Sequence, residues 1–86
     1  MNPAVPVGYT NTMDRKTKAM IESFAWDCTV GAGHAPDECG EKKFKAACHV
    51  LAMNLRPTQH NRELTAEELN VFNSAWKQCV QEMQSP

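Results

Sequence analysis

Apolar residues recur along this chain at the spacing of helices, three or four positions apart, and nowhere alternate through a run of β-branched residues as a strand would require. From Met13 onward Met13, Thr17, Met20, Ile21, Phe24 and Cys28 fall within one arc at about 100° per residue, which predicts a first amphipathic helix. Asn11 or Thr12 caps its start with Asp14 in the first turn, and Gly31 and Gly33 stop it. Pro36, Asp37 and Glu38 have the chemistry of a helix opening, so a second helix is expected from there, with Gly40, Phe44, Ala47, Cys48, Leu51 and Leu55 on its core face. Arg56 and Pro57 end it, and the polar run Thr58 to Arg62 reads as a loop.

The third helix carries the clearest start signal. Thr65 caps, Glu68 reaches back to complete a capping box, and Leu64 can clasp Leu69 as a hydrophobic staple. Leu69, Phe72, Trp76, Cys79, Val80 and Met83 then form one stripe to the C-terminus. The predicted fold is therefore all-α: a small three-helix bundle over residues 12–86, preceded by an extended arm over residues 1–11, where Pro3, Pro6 and Gly8 stand among Val5, Val7 and Tyr9. The arm is expected to lie across its own helices.

Two apolar features fall outside the core stripes. Trp26 sits on the side of helix 1 opposite Phe24 and Cys28, in line with Ala19 and Val30. Such a tryptophan is either covered by the arm or displayed to a partner, tryptophan being enriched among binding hot spots. A second line on helix 2, Cys39, Ala46, Val50 and Met53, makes that helix apolar on two sides, so it is either sandwiched between neighbours or presented to another chain, including a second copy.

Length and charge narrow the picture further. Eighty-six residues make one domain, with so little buried surface that a covalent or metal staple would matter. The formal net charge is -1, which gives no global positive field for a nucleic acid or an anionic membrane. Arg15, Lys16 and Lys18, and then Lys42, Lys43 and Lys45, make short basic groups interleaved with acids, and helix 3 is acidic, against the needs of a helix-turn-helix reader. No window approaches the ~18 apolar residues of a membrane span, and no leader pattern opens the chain; an intracellular, cytoplasmic location is expected.

The four cysteines allow three readings. Cys28, Cys48 and Cys79 are small core residues and Cys39 is incidental; or a disulfide joins two of them, such as Cys28 to Cys39 or Cys39 to Cys79; or Cys28, His34, Cys39 and Cys79 converge at one pole as a structural zinc site. The last two would make a stapled helical module, with the lysine groups available to nucleic acid. His49 follows Cys48 on a helix and points about 100° away, so the pair makes no nucleophile and base, and the sequence has no phosphate cradle or nucleophile elbow. No cofactor is called for. A non-enzymatic module that docks a helical face on a protein partner, as adaptor, inhibitor or regulator, is the functional expectation, with Trp26, Ala19, Val30, Val50 and Met53 as contact residues.

Overall fold

The structure, a computed structural model, describes residues 13–60 and 62–84. The expected arm over residues 1–11 lies outside them. Three α-helices follow in chain order: α1 (Arg15–Cys28), α2 (Glu41–Leu55) and α3 (Ala66–Gln84), with a 3-10 turn over Pro36–Glu38 between the first two. Among the described residues there is no strand, and the chain is an all-α three-helix bundle.

The bundle forms because each helix contributes an aromatic ring to one cluster. Phe44 of α2 stacks on Phe72 of α3 with centroids 5.3 Å apart and meets the edge of Trp76 at 5.3 Å. Phe72 and Trp76 are edge-on at 5.7 Å, and Phe24 of α1 closes on Phe72 at 6.0 Å. Offset and edge-to-face pairs contribute about 0.5 to 1.5 kcal/mol each beyond area burial, so the cluster also favours one arrangement of the helices over others. Ile21, Ala25, Ala47 and Leu51 fill the space around the rings. The small Ala25 lets α1 approach α3 closely, whereas Phe44 holds α2 away at the distance of a ring.

The ends of the elements refine the sequence reading. Asp14, not Asn11 or Thr12, caps α1, its Oδ1 accepting from the Thr17 N–H at 2.7 Å. At the other end the buried Thr29 donates from Oγ1 to the Ala25 carbonyl at 2.7 Å, and Gly33 takes a φ of 74, where glycine pays no Cβ penalty. Pro36, Asp37 and Glu38 open a 3-10 turn rather than α2, which starts only at Glu41 after an exposed N-cap at Gly40. The turn is pinned to α3: the Trp76 indole donates from Nε1 to the buried Cys39 carbonyl at 3.1 Å.

The capping box on α3 is present as expected, with Glu68 N donating to Thr65 Oγ1 at 3.1 Å and Thr65 N donating to Glu68 Oε1 at 2.9 Å. Glu68 has a second partner that periodicity does not reveal, since Arg56 at the end of α2 donates to its Oε2 at 2.7 Å. That ion pair ties the end of α2 to the start of α3 across the loop. Leu69 is 42% exposed, so the core stripe of α3 begins at Phe72 and not at the staple position.

Candidate functional site

The positions singled out in the sequence fall into two separate grooves. The first lies between α1 and α2. Phe24, Asp27 and Cys28 form one wall, Lys43, Ala46, Ala47 and Val50 the other, and Trp76 the floor, enclosing about 420 Å³. Helical spacing extends both walls: Met20 precedes Phe24 by one turn on the same flank, and Met53 follows Val50 by three positions on the outer side of α2. Met20, Val50 and Met53 are 45%, 43% and 44% exposed. Lys43 and His34 close the upper end, Lys43 Nζ lying 3.5 Å from His34 Nε2.

α2 is therefore not sandwiched. Its inner side, at Phe44, Ala47 and Leu51, meets the rings, and Ala46, Val50 and Met53 face outward. Cys39 does not belong to that outer line; it precedes the helix and is buried beside Trp76.

The second groove runs between α1 and α3 and encloses about 490 Å³. Lys18, Glu22 and Trp26 border it on one side, Val71, Ala75 and Gln78 on the other. Trp26 is half exposed, and its ring lies against Gly31: a Cβ built there would stand 2.9 Å from Cζ3 and 3.1 Å from Cε3 of the indole. The backbone completes the seat, with Gly31 N donating to the Trp26 carbonyl at 2.8 Å. Ala19 is exposed on this side of α1 and Val30 is half-buried beyond its end. Of the five expected contact residues, Trp26 borders the α1/α3 groove and Val50 the α1/α2 groove, on two flanks of α1.

The cysteines do not assemble into a metal centre. Among the described residues, Cys28, His34, Cys39 and Cys79 included, no group of three or more His, Cys, Asp and Glu side chains is placed so that it could hold a metal ion. Cys28 and His34 line the α1/α2 groove, and Cys39 and Cys79 do not. Trp76 lines that groove with Cys28 and His34, and its indole donates to the Cys39 carbonyl. All four cysteines are free thiols in this structure. Burial pushes the thiols of Cys28, Cys39 and Cys48 above their ordinary value, reinforced by Asp27 at the first and by Glu38 at the second. A raised thiol stays protonated and is a poor nucleophile or ligand, as suits a packing residue.

Among the described residues no helix is long and apolar enough to cross a membrane. Comparison of the chain with protein-family models, with curated proteins and with solved structures found no match.

Proposed function

We propose that this chain is a non-enzymatic interaction module that docks its α1/α2 face on a protein partner. The observation that carries the reading is the outward apolar line of α2. Val50 and Met53, with Met20 across the groove, expose three large side chains around an apolar cleft that the fold does not close. A cleft of this shape suits the apolar side of an amphipathic helix, seated by side chains three and four positions apart. Methionine adds flexible, polarisable contact that adapts to the partner's shape.

The test is parallel affinity capture from the native source, using wild-type chain, the double variant V50D/M53D and W26A at matched concentrations of folded protein. V50D/M53D should lose the captured partner while keeping the wild-type helical spectrum and melting midpoint, and W26A should retain it. Loss through W26A alone would move the interface to the α1/α3 groove. Sedimentation of the full chain separates the remaining reading: a dimer that V50D/M53D dissociates would make the partner a second copy.

A further inference from the structure

We propose that the α1/α2 face receives an amphipathic helix whose apolar stripe is flanked by acidic side chains, met at its edges by Lys16, Lys42 and Lys43. The proposal deepens the docking reading above and rests on it.

Charge at the edge of the face comes first. α2 carries three lysines, and its one acid, Glu41, is taken by Lys45 at 3.2 Å. Lys42 and Lys43 remain, both exposed. Ala46, Val50 and Met53 share the outward side of α2 with them at helical spacing, and no Asp or Glu stands on that side. Lys43 Nζ meets an imidazole nitrogen, His34 Nε2 at 3.5 Å, in place of a carboxylate, and the nearby Glu38 is committed to the Ala35 N–H at 2.6 Å. On α1, Lys16 is exposed one turn before Met20 on the same flank. Asp27 is the one acid among the described residues that line the groove. The chain carries a formal net charge of -1, so this positive excess is local to the face.

The register of these charges suits a helix. α1 and α2 run antiparallel, with Cys28 near Lys43 at one end and Thr17 near Arg56 at the other. Lys42 and Lys43 therefore stand at the first end, Lys16 at the second, and Met20, Val50 and Met53 between them. Lys43 and Arg56 mark the two ends 13 positions apart on α2, about 20 Å at 1.5 Å per residue. A partner helix of nearly four turns spans that length, its apolar anchors on the methionines and Val50 and its carboxylates at both ends.

Shape favours the same occupant. The exposed apolar side chains surround a cleft of about 420 Å³ between two helices, floored by Trp76. A helix fills such a cleft with side chains three and four positions apart. A membrane surface takes up a protruding apolar face, and the acidic α3 opposes an anionic one.

Three synthetic helices about five turns long, with one leucine stripe and flanks of Glu, Gln or Lys, test the proposal against the isotope-labelled full chain. The Glu-flanked peptide should shift the Val50 and Met53 amide signals and bind about tenfold more tightly than the Lys-flanked one at low salt, the gap closing as salt is added. The double variant K42E/K43E should reverse that order and keep the wild-type helical spectrum, acids being well tolerated at a helix start. Equal binding of all three peptides, abolished by V50D/M53D, would overturn the acidic preference and leave the docking face standing. Binding that V50D/M53D does not weaken, or none by any peptide, would also overturn it, and partner capture then decides the docking face separately. So would any other occupant. Vesicles of phosphatidylcholine and phosphatidylserine that shift Val50 and Met53 where the Glu-flanked peptide does not would give the face to a membrane. Concentration-dependent shifts without peptide would give it to a second copy, and contacts to the Met53 methyl from elsewhere in the free chain would show it already closed.

Discussion

Glu68 shows how much one side chain does in a bundle this small. It closes the capping box with Thr65 and receives the Arg56 guanidinium from α2, all while buried. Burial alone would raise its carboxyl. The hydrogen bond from Arg56, then the Thr65 N–H and the Arg56 charge, outweigh burial and hold it below the usual glutamate value. A carboxyl lowered on folding contributes stability that is complete above the ordinary glutamate range and is lost as pH falls through the lowered value. Urea midpoints measured from neutral to acid pH should therefore decline on the acid side. Glu68→Gln keeps an acceptor for Arg56 but removes the titration, so its decline should be visibly shallower than wild type. An identical acid limb would show that Glu68 does not carry this dependence. The capping role was legible in the sequence, since Thr65-x-x-Glu68 before an apolar run is a local signature. The ion pair was not, because Arg56 and Glu68 lie 12 positions apart and no periodicity links them.

At the scale of the elements, α2 has two apolar sides with opposite fates. Leu51 is 1% exposed within the core, and Val50, its neighbour in sequence, faces out. Leu51→Ala should destabilise by about 2 to 5 kcal/mol, the range for deleting a buried aliphatic side chain. Val50→Asp should stay within about 0.5 kcal/mol of wild type, as surface substitutions do. Urea denaturation of the pair distinguishes the two sides; a Val50→Asp loss comparable to that of Leu51→Ala would mean that α2 is covered on its outer side. The helical stripes of Ile21 to Cys28 and Phe72 to Met83 could be read from spacing, because a helix repeats its environment every turn. The start of α2 could not. Pro36, Asp37 and Glu38 satisfy the local rules for a helix opening, but the Cys39 carbonyl is committed to the Trp76 indole 37 positions away, and the chain breaks there before Glu41. Leu69 fits the stripe of α3 by phase, yet it is 42% exposed in the first turn, where its neighbour Glu68 turns inward to Arg56.

For the molecule as a whole, spacing gave the number of helices, and the rings gave their arrangement. Phe24, Phe44, Phe72 and Trp76 stood on the three predicted apolar stripes, and their rings meet in one core. The candidate surface was legible only in part. Trp26, Val50 and Met53 stood out as apolar residues off the core stripes of two helices, but a helical projection cannot tell which two helices border a groove. The same projection put three cysteines and His34 at one level, but a shared level does not bring side chains together: Cys28 and His34 line the α1/α2 groove, and Cys39 and Cys79 do not. The account as a whole rests on Phe44 anchoring α2 to the rings of α3 so that Val50 and Met53 are left outward. A nuclear Overhauser spectrum of the full chain, assigned for the aromatic rings and the Met53 methyl, tests both halves at once. Cross-peaks from Phe44 to Phe72 and Trp76, with none from the Met53 methyl to α1 or α3, are predicted. Phe44 without those contacts, or Met53 packed against another helix, would contradict the account.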